Sequence, residues 1–180
     1  MNIREWIADN IGYRFGCFYA KNHDRIFKPI AELIPEEFKN RELTDLACGD
    51  GQNTLRLKEI FEAKKVIGFE RNPFLVEKAS KKGIEVTRGD LTQKIPEGEL
   101  ATFSLAFHHI PNEKKVEVLR KVKDNFDYIF LLEPKNDLYH RLFDAGEALS
   151  KEQWIEVFDE ALEEYKVYEQ GNNLIVFYQS

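Results

Sequence analysis

The chain is poor in cysteine, in long apolar runs and in positive charge. Only Cys17 and Cys48 occur among 180 residues. Two thiols are too few for a disulfide scaffold, and a reducing cytoplasm is the expected compartment. No apolar stretch approaches the ~20 residues needed to cross a bilayer, so no membrane association is expected; residues 129–132 are typical of the longest runs. Near the start, Arg4, Glu5, Asp9 and Arg14 interrupt any apolar core of a secretion signal. With 26 basic and 32 acidic side chains, the net charge is −6. Such a surface is not built to neutralise a phosphate backbone, which disfavours nucleic acid as a partner. Repeats, low-complexity tracts and Pro/Ser-rich linkers are absent as well. The expectation is a single domain over residues 1–180, monomeric or homodimeric, with residues 1–40 as an N-terminal helical cap or lid and 41–180 as the core.

What is present is an apolar fraction of 43%, with 14 Phe, 7 Tyr and 2 Trp, enough to drive folding of a chain this long. Short apolar runs alternate with longer amphipathic ones. Helices are expected over 3–10 and about 24–33, then a strand over 42–47 and a helix over 54–62. A strand over 65–70 precedes Asn72 and Pro73, a cap followed by proline at the first helical position, and Gly83 can end that helix. Strands over 84–88 and 100–107 follow. A helical stripe of Val116, Leu119 and Val122 then leads into the most apolar strand, 128–133, which reads as central. Ser150 and Gln153 have capping-box spacing before a helix carrying Trp154, Ile155 and Phe158. Residues 166–169 and 174–178 flank Gln-Gly-Asn-Asn as an antiparallel hairpin.

This alternation implies an α/β fold: a doubly wound, mostly parallel sheet of about seven strands ending in an antiparallel hairpin, with ligand at the carboxyl ends of the strands. At the first of those ends stands Asp45-Leu-Ala47-Cys-Gly49-Asp50-Gly51. It resembles the acidic-x-Gly-x-Gly-x-Gly loop of the class I, seven-stranded, Rossmann-like S-adenosylmethionine-dependent methyltransferases. Asp45, Gly49 and Gly51 match, and Ala47 replaces the first glycine. Small residues let backbone N–H groups approach a ligand, and the helix start that follows favours a carboxylate. A dinucleotide is the competing ligand, since Gly49-Asp-Gly51-Gln-Asn-Thr54 half-matches Gly-x-Gly-x-x-Gly. Thr54 in place of the third glycine opposes it, as does Asp50, whose carboxylate would repel a pyrophosphate and attract a sulfonium or aminium.

The resemblance extends over roughly residues 43–178 and implies further contacts. Glu70, at the end of the second strand, would accept both ribose hydroxyls, a device that NAD enzymes share, with Arg71 beside the adenine. Asp90 and Leu91 would read the adenine amino group and ring. Ser104 and Leu105 would lie along the methionine portion. In 101–111, His108 and His109 resemble the small-molecule branch of the family, with His108 the preferred general base and His109 the one expected to pack at the strand-to-helix junction. Adjacent histidines without a spaced third ligand do not make a metal site. The acceptor walls would come from Tyr13, Phe18 and Tyr19 and from Tyr139 and Arg141, and the same stretch after the fifth strand offers Glu133. The absent Asn/Asp-Pro-Pro-aromatic tetrad favours a small acceptor over a nucleobase. The reading is therefore methylation of a small molecule with S-adenosylmethionine as cofactor. A protein or RNA acceptor, and a non-catalytic binder of the cofactor or its demethylated product, stay open.

Overall fold

The computed structural model describes residues 24–135 and 149–180. Seven strands lie within them: β1 (Glu42–Leu46), β2 (Lys65–Glu70), β3 (Glu85–Arg88), β4 (Gly98–Ser104), β5 (Phe126–Pro134), β6 (Tyr165–Gln170) and β7 (Asn173–Gln179). They form one sheet in the order β3-β2-β1-β4-β5-β7-β6. The first five are parallel, and β7 runs antiparallel between β5 and β6. The hairpin thus does not simply extend the sheet, because its second strand returns to the interior. Side-chain polarity explains why. All of residues 174–178 are buried, whereas residues 166–169 are exposed along β6, which takes the edge.

Helices α1 (Asp24–Ile30), α2 (Gln52–Ile60), α3 (Pro73–Lys81), α4 (Asn112–Asn125) and α5 (Lys151–Ala161) flank the sheet. Successive β5 residues alternate between two apolar clusters. Ile129 and Leu131 join Val118, Leu119, Val122, Trp154 and Phe158, while Tyr128, Phe130 and Leu132 join Phe27, Ile30, Phe38, Leu57 and Phe61. That is the two-residue period of a strand covered on both faces. Phe61, Phe103, Phe107, Phe130, Trp154 and Phe158 are wholly buried, each stabilising the fold by about 2–3 kcal/mol. The described part of the N-terminal segment belongs to this packing, since Phe38 meets Tyr128 and Phe177 edge to face at 5.1 and 5.2 Å. The helix expected over 3–10 lies outside the described residues.

Local chemistry fixes the element ends. Asn72 accepts from the Phe74 amide at 3.0 Å ahead of Pro73. Ser150 and Gln153 make the expected reciprocal capping box. α4 passes into β5 without a loop, and the Asn125 amide group donates to the carbonyls of Ile95 and Pro96, tying the junction to the turn before β4. The strand expected over 100–107 ends earlier, at Ser104, because Leu105 turns the chain with φ 56° and residues 107–109 form a 3-10 turn. That shortened exit shapes the site.

Candidate functional site

The carboxyl ends of β1, β2, β3, β4 and β5 converge. At β1, Asp45 is buried, and its two oxygens accept from Thr54 Oγ1 at 2.5 Å and Thr102 Oγ1 at 3.0 Å. It thereby joins the start of α2 to β4. Burial is the largest influence on this carboxyl and pushes its pKa from 3.8 up to about 7; the two hydroxyls oppose the rise and Glu70 adds to it. Beyond Asp45 the chain needs the left-handed region three times, at Ala47 (φ 59°), Gly49 (φ 57°) and Gly51 (φ 79°). Ala47 takes that conformation with a Cβ, at a cost of roughly 1–2 kcal/mol. A Cβ on Gly51 would stand 2.3 Å from Ile84 Cδ1, the movable tip of a side chain, and 3.1 Å from Ala79 Cβ, so the positive φ and the close approach of α2's start to α3 together favour glycine here. A Cβ on Gly49 would meet nothing within 4 Å, so this glycine faces open space.

Glu70 closes the next strand end. It is 6% exposed; Oε2 accepts from the Gly49 amide at 3.0 Å and Oε1 from the Asn72 amide at 2.8 Å. The two amides come from loops after different strands, and each oxygen retains acceptor capacity. Arg71 is exposed, and its carbonyl accepts from Arg88. At the third end, Asp90 Oδ1 accepts from the amide and hydroxyl of Thr92, both at 2.8 Å, and Leu91 is buried. Gly89 lies against the Phe69 ring, which a Cβ would approach to 2.2 Å. At the fourth end, Ser104 Oγ accepts from Asn53 Nδ2 at 3.2 Å, linking β4 to α2 beside the turn at Leu105.

Two expectations need correction. Asp50 does not present an unbalanced charge to a ligand: its Oδ2 accepts from Lys82 Nζ at 2.7 Å and its Oδ1 from the Gln52 amide. Paired in this way, Asp50 does not distinguish a pyrophosphate from a sulfonium by its charge, and Thr54, whose side chain is committed to Asp45, is the remaining departure from Gly-x-Gly-x-x-Gly. The packing at the junction expected of His109 is found at its neighbour instead. His108 is the one packed at the junction, 2% exposed with Nδ1 2.8 Å from Glu133 Oε2, while His109 is exposed with its ring centroid 4.2 Å from that of His108.

Glu133 is the residue the sequence reading undervalued. It stands at the end of β5, fully buried, and accepts four hydrogen bonds: from the amides of Ala106, Phe107 and His108 and from the His108 ring. Those amides are the donors that the shortened β4 leaves without a strand partner. An acid closing the most apolar strand was the available clue, because such a group is retained only with partners. Tyr13, Phe18, Tyr19, Tyr139 and Arg141 lie outside the described residues.

Residues 43–127 match the methyltransferase domain family. The matched residues run from β1 into β5, and the seven-stranded order with its reversed β7 is the class I, Rossmann-like methyltransferase fold. Among solved structures it is similar to the mitomycin 7-O-methyltransferase MmcR, at 14% identity and a TM-score of 0.74 over 98% of this chain and 60% of that one. Human N-acetylserotonin methyltransferase, solved in complex with SAM, gives 14% identity and a TM-score of 0.76 over 97% and 57%. PigF, solved with SAH, gives 16% and 0.65 over 78% and 50%. At such identities the likeness is one of fold, and the chain spans 50 to 60% of the length of these three proteins.

Proposed function

We propose that this chain binds S-adenosylmethionine across the carboxyl ends of β1 to β4 and transfers its methyl group to a small-molecule acceptor, with a hydroxyl oxygen the best match to the site. The carrying observation is the pairing of Gly49, open where a side chain would stand, with the buried Glu70 carboxylate beside it. The donor set fits the cofactor. Glu70 suits two ribose hydroxyls, Asp90 and Leu91 an adenine amino group and ring, and Ser104 and Leu105 the methionine chain, while the loop Ala47–Gly51 before α2 suits its carboxylate. Asp45 supports that loop from below through Thr54. The bound cofactor would supply an electrophilic methyl on a cationic sulfur.

The protein's own task is to align the acceptor, exclude water and remove a proton. Glu133 engages His108 at Nδ1, so in the neutral ring the proton is held there and Nε2 is the basic nitrogen. His108 is thus assigned as general base and Glu133 as its orienting partner. Arg71 flanks the adenine in this reading, His109 and the aromatic residues 13, 18, 19 and 139, with Arg141, border the acceptor, and residues 1–40 act as the acceptor's cap within one domain. O-methyl transfer is the chemistry named for the mitomycin enzyme, and a hydroxyl, like a thiol, gives a neutral imidazole a proton to remove. No helix among the described residues is long and apolar enough to cross a membrane, and the acidic balance favours a small metabolite; a cytoplasmic monomer or homodimer completes the reading.

Calorimetry with S-adenosylmethionine, S-adenosylhomocysteine and NAD tests the first half. The expected result is binding of the first two and none of NAD, with Glu70→Gln weakening affinity at least tenfold while the thermal melt stays cooperative. Labelled-methyl transfer to phenols and to metabolite extracts tests the second, with His108→Gln lowering kcat and sparing cofactor affinity. Cofactor binding without transfer to any metabolite, protein or RNA fraction would favour a non-catalytic binder; label confined to protein or RNA would overturn the small acceptor.

A further inference from the structure

Asp45 is a buried acid to which the proposed chemistry gives only a supporting place. It is 1% exposed, and its oxygens accept from two hydroxyls, those of Thr54 on α2 and Thr102 on β4. On the neighbouring strand Glu70, 6% exposed, accepts from the amides of Gly49 and Asn72. Two carboxylates thus lie buried beside the loop 47–51, close enough for the Glu70 charge to act on Asp45. Among the described residues no cation touches either of them, and the Lys82 ammonium meets Asp50 instead. Two anions so placed repel each other and lack water, which favours a proton on one of them. Both Glu70 oxygens face N–H groups, which can only donate, whereas a threonine hydroxyl can turn and accept. Asp45 is therefore the member able to hold a proton with its hydrogen bonds intact. Its carboxyl is accordingly pushed up to about 7, by burial first, with Glu70 adding to the rise.

Asp45 also lies where a ligand's charge would be felt. Its partners bracket the methionine end of the proposed site. Thr54 follows Asn53, whose amide group meets Ser104, and Thr102 is paired with Asp45 in the strand register two residues before Ser104. The ionisable groups around it are Glu70 of β2, the Cys48 thiol, which burial and the carboxylates Asp45 and Glu70 keep protonated, and Asp50 with its Lys82 partner. None of these supplies an unpaired positive charge to Asp45, so a cation brought by the ligand is the change to which it responds. S-adenosylmethionine differs from its demethylated product by one methyl group and the positive charge on sulfur. We propose that Asp45 is a specificity-determining residue that tells the two apart: it keeps its proton in the ligand-free protein and against the neutral thioether, and releases it to solvent when a sulfonium settles beside the loop, so the methyl donor is favoured over the spent product. This rests on the methyl-transfer reading above.

The test is calorimetry of the whole chain at pH 6.5 in two buffers of different ionisation heat, which counts the protons released on binding. If the Asp45 midpoint falls by about one unit, S-adenosylmethionine should release about half a proton. S-adenosylhomocysteine should release little, and neither nucleoside should release more than a trace from Asp45→Asn. From pH 5 to 7 the preference for the donor over the product should grow about fivefold in the wild type relative to the variant. Binding without release, with equal release for the two nucleosides, or with release retained in Asp45→Asn overturns this proposal and leaves the methyl-transfer reading standing. Binding of neither nucleoside overturns both. If Asp45→Asn does not fold, difference infrared spectra of the wild type decide: the protonated-carboxyl band should fall on adding the donor and hold on adding the product, and a band that is missing at the start or unchanged by both overturns the proposal.

Discussion

Asp45 should make the protein less stable as pH rises, and the size of the effect follows from its surroundings. Its carboxyl is buried under the β1 loop with only two hydroxyls to stabilise the anion, and its pKa is pushed from 3.8 up to about 7. In the unfolded chain the same group titrates near 3.9. Between those values the folded state keeps a proton that the unfolded state has released. Stability therefore falls as pH climbs from about 4 to 7, and the whole penalty stands above that range. Three units at 1.36 kcal/mol each give about 4 kcal/mol in total, of which about 3 kcal/mol develops between pH 4.5 and 8. Asp45→Asn removes the titration, and the hydroxyl protons of Thr54 and Thr102 can rotate to suit an amide. The assay is urea unfolding of both proteins across that range. With a slope of about 2 kcal/mol/M, the midpoint of the variant relative to wild type should rise by about 1.5 M from pH 4.5 to 8. Parallel profiles would refute the assignment of this carboxyl as a desolvated group.

Glu133→Gln sets an amide N–H2 against the His108 amide and ring where a carboxylate oxygen accepted both. It should lower stability by about 3 kcal/mol in urea unfolding, since two charge-assisted bonds are lost and one is recoverable by a tautomer change; a loss below 1 kcal/mol would contradict the four-bond geometry. Ala47→Gly relieves a left-handed alanine and should leave the thermal midpoint unchanged or raise it by 2–4 °C, about 1 kcal/mol, whereas a fall of that size would show that the Cβ packing outweighs the strain. Gly51→Ala meets Ile84 and Ala79 while retaining φ 79°. It should cost about 2–4 kcal/mol, and a neutral result in the same melt would refute the close packing of the loop.

The strands and helices were legible because their patterns are local. β2 spans the residues the sequence indicates, 65–70, and the Asn72-Pro73 and Ser150-Gln153 caps form as their spacing implies. Long-range pairing was less so. Asp50 meets Lys82 from the far end of α3, a partner 32 residues away that no spacing rule identifies. Past the turn at Leu105, a glutamate on another strand takes the amides of 106 to 108, a partner that residues 100–107 alone cannot reveal. Two clues were readable. Residues 174–178 are uniformly apolar and residues 166–169 are not, which already places β7 inside and β6 at the edge. The stripe on α4 begins at Lys115, in register with Val118, Leu119 and Val122, so a cation on the core face was visible before its partners were.

In the proposed function a methyl-donor nucleoside rests against the strand ends beside Gly49, Glu70 and Asp90. A crystal structure of the chain grown with S-adenosylhomocysteine tests it most directly. Ribose density at Glu70 with the adenine beside Asp90 and Leu91 is the predicted result; density at another surface, or none at saturating ligand, would contradict it.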